Sequence, residues 1–115
     1  MNSKEIFIGI DVSKETLDIS IAGKHYKTAN TKEAVSIFYG KHVIGCKVKL
    51  CVLESTGGYE REVLRTLQEY GIPVHRAHSN KVFAFAKAKG HFAKTDKLDA
   101  ILLESYAKYG SFSCR

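Results

Sequence analysis

The amino-acid sequence predicts an α/β domain built around a five-stranded mixed sheet. Two continuous apolar runs, at residues 6–10 and 48–53, are typical of central strands that are covered on both faces. Residues 16–22 alternate between apolar and polar side chains, as a strand with one covered face does. The chain of 115 residues is long enough for one domain with a core of its own.

The first part of the chain is predicted to form an antiparallel meander of three strands, followed by a helix. The predicted strands are residues 6–10, 16–22 and 25–28. The first ends at Asp11, and Gly23-Lys24 forms a tight turn between the second and the third. Residues 30–33 resemble a capping box, and the apolar side chains after them recur with a helical period, so a first helix is expected here.

The second part is predicted to add two strands and three helices. The predicted strands are residues 48–53 and 72–75. The predicted helices lie between Gly58 and Tyr70, over residues 79–89, and from Thr95, as the cap, to Tyr109. The buried stripe of the last helix is predicted to be Leu98, Ile101, Leu102 and Tyr106, and a frayed polar tail follows it.

This order of elements is that of the ribonuclease H-like fold. Three antiparallel strands come first, then a helix, a strand, a helix, a strand and the C-terminal helices. In that fold the fourth strand lies parallel beside the first. The sequence favours the same pairing, because these two strands have the strongest apolar runs.

Carboxylates follow both of the strands that are expected to be neighbours. Asp11 ends the first strand and Glu54 ends the fourth, so the two should leave the sheet side by side, about 4.8 Å apart. Ligands of open α/β sheets bind at these carboxyl ends. Two adjacent carboxylates repel each other unless a cation lies between them, and Mg²⁺ prefers such hard oxygen ligands. For Asp11 taken alone, an aspartate in a turn is an equally good interpretation.

A second pair of acids begins the last predicted helix. Asp96 and Asp99 are three residues apart, so they should share one face of its first turn. The alternative is that the helix dipole alone favours acids there. Together with Asp11 and Glu54 they suit a two-metal centre, which holds the attacking and leaving oxygens of a phosphoryl displacement.

The charge distribution favours a nucleic-acid partner. The formal net charge is +6, and residues 71–95 contain five Lys or Arg residues without any Asp or Glu. A surface of this kind attracts phosphate backbones, although a solvated basic face is the plain alternative. The residues expected to contact nucleic acid are Lys14, Gly57, Gly58, Lys81, Lys87, Lys89, Lys94, Thr95 and Lys97. The two glycines would let a phosphate approach the backbone at a helix N-terminus, or they form a tight turn.

Cysteine usage and hydropathy indicate the compartment. Cys46, Cys51 and Cys114 have no metal-binding spacing, so reduced structural cysteines are expected. No apolar stretch approaches the roughly 20 residues of a membrane span, and the N-terminus lacks the pattern of a signal peptide. We therefore expect a cytoplasmic protein without a membrane partner.

Three motifs resemble one known family. They are GIDVSK at residues 9–14, ESTGGYE at 54–60 and FAKAKGHFAKTDKLDA at 85–100. The chain is similar, over nearly its whole length, to the DEDD-type insertion-sequence transposases, the Piv/MooV-like recombinases of bacterial mobile elements. The resemblance implies a RuvC-like, ribonuclease H-fold catalytic domain that acts on DNA with Mg²⁺, for which Mn²⁺ can substitute. Its acidic tetrad falls on Asp11, Glu54, Asp96 and Asp99.

The resemblance also carries expectations about the whole protein. Some members are directed by a structured guide RNA, and the full-length protein is expected to be a homo-oligomer. Because these mobile elements are bacterial, the resemblance implies association with the nucleoid when the protein is bound to DNA. The family continues into a coiled coil and a second domain with a catalytic serine, and this chain is expected to lack both. We therefore expect a catalytic domain at residues 1–110, a frayed tail at 111–115, and incomplete activity from this chain alone.

Three other functions are weighed against a transposase domain. A stand-alone RuvC-like junction nuclease would use the same carboxylates with water as its nucleophile. A non-catalytic nucleic-acid-binding module would keep the acids for structure only. An actin-like kinase also begins with a strand and an IGID segment, but Val12-Ser13-Lys14 does not supply the glycine-rich phosphate loop that it needs.

Overall fold

The computed structural model describes residues 4–55, 57–88 and 99–113. Their strands are β1 (Lys4–Val12), β2 (Thr16–Ile21), β3 (Lys24–Ala29), β4 (Cys46–Ser55) and β5 (Val74–Arg76). Their helices are α1 (Lys32–Phe38), α2 (Arg61–Glu69), α3 (Ser79–Ala88) and α4 (Ala100–Ser113), and a π-helical turn (Tyr39–Val43) extends α1.

The five strands form one mixed sheet in the order β3-β2-β1-β4-β5. β1 pairs antiparallel with β2, and β2 with β3, whereas β4 lies parallel to both β1 and β5. This is the predicted ribonuclease H-like arrangement, with three antiparallel strands followed by parallel crossovers through helices. The prediction that β1 and β4 are parallel neighbours is confirmed.

Both faces of the central strands are buried, as their continuous apolar runs predict. One face packs Ile8, Ile10 and Leu53 against side chains of α1 and α2. The other places Val52 of β4 beneath α3 and α4, in a cluster with Val82 and Leu103. Successive residues of a strand face opposite sides, so beyond the register shift at Ile6 and Phe7 the direction of each side chain on β1 and β4 follows from these two clusters.

Both central strands extend beyond their predicted ends, and the first hairpin turns one residue earlier than expected. Asp11 and Glu54 lie inside β1 and β4 rather than after them. The turn is formed by Ala22 and Gly23, with φ values of 53° and 80°. A two-residue hairpin loop with φ positive at both positions matches the right-handed twist of its strands, so this turn replaces the predicted Gly23-Lys24.

The cap of α1 also differs from the prediction. Thr31 is the N-cap, and its side chain accepts a hydrogen bond from the backbone N–H of Ala34 at 3.1 Å. The residue three positions after this cap is Ala34, so the capping box predicted at residues 30–33 is wrong. Asn30 is thereby left for another contact, described below. After α1 the N–H of Ile44 donates to the carbonyl of Tyr39, the five-residue spacing that defines a π-helical turn.

The last helix differs most from its prediction. α4 begins at Ala100 and continues to Ser113, past the predicted end at Tyr109 and into the predicted tail. Ile101 is 53% exposed, whereas Leu103, Glu104 and Ala107 are buried. The fully buried stripe is therefore Ala100, Leu103, Glu104 and Ala107. Of the predicted stripe, Leu102 and Tyr106 are partly buried and pack against the same cluster, whereas Ile101 is wrong. Thr95 and Leu98 lie outside the described residues.

The remaining sequence predictions concern cysteines, the sheet edge and membranes. Cys46 and Cys51 are free thiols, as expected, and burial raises the pKa of the Cys51 thiol to about 12. Pro73 precedes β5, which is an edge strand, in agreement with its predicted place. Within the part of the chain that the structure describes, no helix is long and apolar enough to cross a membrane.

Candidate functional site

The site is built on two neighbouring residues of the central strands. In the parallel pairing of β1 with β4, Asp11 lies opposite Glu54. The pairs one step earlier are Ile10 with Leu53, which face α1 and α2. Asp11 and Glu54 therefore face the opposite side, towards α3 and α4. The predicted juxtaposition of two carboxylates at the carboxyl ends of parallel strands is thus what the sheet register provides.

Glu54 is buried, with an exposed fraction of 4%. Its Oε2 accepts a hydrogen bond of 2.6 Å from the Oγ of Ser79, the first residue of α3. A buried carboxylate needs partners, and among the described residues the one hydroxyl leaves much of the acceptor capacity of Glu54 unused. Sequence reasoning missed Ser79. The one signal for it was a hydroxyl at the start of the predicted helix that follows the strand next to β4.

α4 approaches the same strand end from above the sheet. Its Leu103 and Ala107 lie in the cluster with Val52, and Gly110 near its end lies close to Leu50. α4 therefore runs antiparallel to β4, with its N-terminus towards Glu54. At that N-terminus the backbone packs directly on Gly9, where an added Cβ would overlap the carbonyl oxygen of Ala100.

Asp99 lies at this N-terminus, one residue before Ala100. Its Oδ1 accepts a hydrogen bond of 2.9 Å from the backbone N–H of Leu102, so Asp99 is the N-cap of α4. The prediction that it occupies the first turn is wrong, because the helix begins one residue later. A capping carboxylate uses one oxygen for the backbone and keeps acceptor capacity on the other.

The fourth predicted carboxylate, Asp96, lies outside the described residues. Within residues 4–55, 57–88 and 99–113, no three Asp, Glu, His or Cys side chains form a group that could hold a metal ion. The structure thus brings Asp11 and Glu54 together and directs the N-terminus that carries Asp99 towards them. The four-residue centre as a whole stays a prediction.

One further carboxylate of this face was missed. Asp18 of β2 lies directly opposite Asp11 in the antiparallel pairing, so the two side chains share a face. Asp18 is bridged by His25 of β3, with 3.0 Å between Oδ1 and Nε2. The polar positions of the alternating second strand, read with an antiparallel register, would have indicated Asp18.

The loops after β1 and β4 are fastened to each other by Asn30. Its Nδ2 donates to the carbonyl of Ser13, at 2.9 Å, and to the carbonyl of Tyr59, at 3.0 Å. Gly57 lies under the ring of Tyr59, which a Cβ at this position would meet. Gly58 has a φ of 77°, a conformation that favours glycine. Gly57 therefore has a steric reason and Gly58 a conformational one, and their predicted phosphate contact stays a prediction.

Three of the predicted nucleic-acid contacts are exposed cations, namely Lys14, Lys81 and Lys87. Lys14 follows β1, and the other two lie on α3. Arg76, which belongs to the acid-free run, forms an ion pair of 2.6 Å with the buried Glu60. The Arg76 side chain is nevertheless 61% exposed, so its charge lies at the surface but is partly neutralised by Glu60. Lys89, Lys94, Thr95 and Lys97 lie outside the described residues.

Comparisons with known proteins identify the family. No curated protein matches the chain. The model of the family DEDD_Tnp_IS110, described as transposase, matches residues 8–113. The match includes Asp11, Glu54 and Asp99 and covers all but a few residues at each end. Together with the ribonuclease H-like sheet, it shows that this chain belongs to the DEDD transposase family of IS110 type.

Proposed function

We propose that this chain forms the catalytic centre of a transposase that transfers phosphoryl groups of DNA with the help of divalent metal ions. The single observation that best supports this is the register of the sheet, which sets Asp11 opposite Glu54 at the carboxyl ends of parallel strands. Fold alone does not imply a reaction, so the proposal rests on these side chains.

The donor set fits Mg²⁺ or Mn²⁺. Asp11, Glu54 and Asp99 offer carboxylate oxygens, the ligands that both ions prefer, and Asp96 would complete the set. When bound, the metal ions would neutralise charge on the phosphate and activate the attacking oxygen. Burial of Glu54 and its bond to Ser79 hold one carboxylate in a fixed orientation. The two hydrogen bonds of Asn30 hold the loops after β1 and β4 together beside this carboxylate.

DNA would be held by electrostatic attraction beside this edge of the sheet. Lys14 follows Asp11 by three residues, and Lys81 follows Ser79, the partner of Glu54, by two. These exposed ammonium groups suit contacts to the phosphate backbone, which position DNA without reading its sequence. Lys87 lies further along α3 and would extend the contact. A strongly salt-dependent affinity follows from such contacts.

The proposal is tested by the effect of metal on thermal unfolding. A ligand at 100 times its dissociation constant stabilises the folded state by about 2.7 kcal/mol. The unfolding entropy of about 2.1 cal/mol/K per residue gives roughly 0.24 kcal/mol/K here, so the melting temperature should rise by about 11 °C. Asp11→Asn keeps the shape of the side chain but removes a good ligand. We expect this variant to melt higher than the wild type in EDTA, because charge repulsion is relieved, and to lose most of the rise in Mn²⁺.

Glu33→Gln is the matched control, because Glu33 is an exposed acid on α1 and takes no part in the site. It should keep the wild-type response to Mn²⁺. Equal responses of the Asp11 and Glu33 variants would show that Asp11 is not a ligand and would refute the proposal. A wild-type protein that binds DNA but does not respond to metal would instead be the non-catalytic binding module. Cleavage of four-way junctions by this chain in Mg²⁺ would favour the junction nuclease.

A further inference from the structure

One buried acid lies on α4 away from the candidate site. Glu104 is 3% exposed, and it is the charged side chain of the buried stripe of α4. A carboxylate is rarely buried unless several donors surround it. Its position on a helix that packs against the sheet therefore calls for a specific reason.

The donors come from the hairpin of β2 and β3. The Oε1 of Glu104 accepts hydrogen bonds from the hydroxyl of Ser20, at 2.6 Å, and from the backbone N–H of Gly23, at 3.2 Å. Its Oε2 accepts from the backbone N–H of Ala22, at 2.8 Å, and lies 3.6 Å from the Nζ of Lys108. Ala22 and Gly23 are the two turn residues with positive φ. The turn thus exposes two N–H groups, and Glu104 satisfies both.

The same contact fixes where α4 lies along β1. Ser20 is paired with Gly9, the residue on which the backbone of α4 rests at Ala100, Leu103 and Glu104. Glu104 therefore anchors the helix laterally at the level of Gly9, while the missing Cβ lets it come close. One turn nearer the start of the helix lies Asp99, and two residues further along β1 lies Asp11. The contact of Glu104 with the hairpin therefore sets how far the Asp99 carboxylate lies from the Asp11 carboxylate.

We propose that Glu104 is a positioning residue, which holds α4 in a register that directs its N-terminus, and with it Asp99, towards Asp11 and Glu54. The inference rests on the proposed metal-dependent function. It assigns Glu104 no contact with metal or DNA, because the hydrogen bonds and the ion pair of its carboxylate go to the hairpin and to Lys108. Its effect on the site is transmitted by the helix.

Glu104→Gln is the direct test. A glutamine replaces one acceptor oxygen by an NH₂ group, which would face a backbone N–H or the Ser20 hydroxyl, so the anchor cannot form as before. We expect Mn²⁺ affinity, measured from the free Mn²⁺ signal in electron paramagnetic resonance, to fall about 10- to 100-fold, as for loss of an outer partner of a metal site. Amide hydrogen exchange at Leu102 and Leu103, whose N–H groups bind Asp99, should speed up.

Two further variants separate positioning from general destabilisation. Ser20→Ala removes one donor and keeps both backbone donors, so a smaller loss in the same direction is expected even where Glu104→Gln folds poorly. Val63→Ala creates a cavity on the other face of the sheet, away from α4. It should lower the melting temperature and leave Mn²⁺ affinity unchanged.

The outcomes distinguish this inference from the proposed function. Weaker Mn²⁺ binding in Glu104→Gln and Ser20→Ala, but not in Val63→Ala, supports the positioning role. Wild-type Mn²⁺ affinity in folded Ser20→Ala and Glu104→Gln overturns it and leaves the proposed function standing. A wild-type protein that binds no Mn²⁺ overturns the proposed function and this inference together.

Discussion

Among the described glycines that do not have a positive φ, Gly9 is the one whose replacement by alanine should lower the melting temperature most. A Cβ at this position would overlap three backbone atoms of α4, in Ala100, Leu103 and Glu104. Backbone atoms of a packed helix cannot swing aside as a flexible side chain can, so α4 must move away from β1. Overpacking of this kind costs about 1–3 kcal/mol, which corresponds to a decrease of roughly 4–12 °C in melting temperature for a chain of this length.

Gly40 provides the matched control for this substitution. It lies in the π-helical turn, and a Cβ there would meet nothing within 4 Å. Gly40→Ala should therefore leave stability unchanged or raise it slightly, because alanine costs less backbone entropy than glycine in a helix. Calorimetry of the wild type and both variants measures the difference. If Gly9→Ala has the same melting temperature as Gly40→Ala, α4 does not rest on β1 at Gly9, and the register proposed for this helix is wrong.

Two other predictions concern DNA binding and thiol chemistry. Changing Lys14, Lys81 and Lys87 to alanine should weaken DNA binding and flatten its salt dependence, by up to about one unit of slope for each phosphate that is no longer neutralised. The triple change of the exposed Lys41, Lys47 and Lys49 should leave both unchanged. Filter binding over a salt series measures the two slopes, and equal slopes would place the DNA surface elsewhere. Iodoacetamide at pH 8 should modify Cys46 and spare Cys51, because the buried Cys51 thiol has a pKa of about 12 and stays protonated. Peptide mass spectrometry after a short exposure measures the modification of each cysteine, and prompt alkylation of Cys51 would contradict its burial.

The sheet could be predicted from the sequence because its signals are local. Apolar runs identified β1 and β4 as central strands, and their parallel pairing then placed Asp11 beside Glu54. Strand ends were less certain, since the carboxylates that were expected to end the strands are still within the hydrogen-bonded ladder. Hydrogen bonding between strands continues as long as both partners are extended, whichever side chains they carry.

The face of α4 could not be predicted from hydropathy. The helical period is satisfied by two overlapping stripes, and hydropathy favours the one with the larger apolar residues, of which Leu102 and Tyr106 are partly buried but Ile101 is exposed. The observed stripe instead contains Ala100 and Glu104, because close contact with β1 needs small residues and the hairpin turn supplies partners for an acid. A buried carboxylate is indistinguishable from an exposed one in a sequence until its donors are known.

The same limit applies to Ser79 and Asn30. Ser79 reaches Glu54 across 25 positions of the chain, and Asn30 reaches Tyr59 across 29. Such pairs depend on how the loops and helices pack on the sheet, which no local pattern specifies. Asp18 was within reach of prediction, since an antiparallel register that pairs Val12 with Leu17 also pairs Asp11 with Asp18.

The small residues at the two ends of the family motifs are explained by one contact. Gly9 opens the first motif, Ala100 closes the last, and the carbonyl of Ala100 occupies the space above Gly9. Ala100 is itself 2% exposed, so a larger side chain there would have to displace its packed neighbours. The acids Asp11 and Asp99 lie just beyond this contact, two residues from Gly9 and one from Ala100. Close packing of two small residues thus sets the distance between two carboxylates, because any increase in volume at the contact raises the helix and its N-cap together.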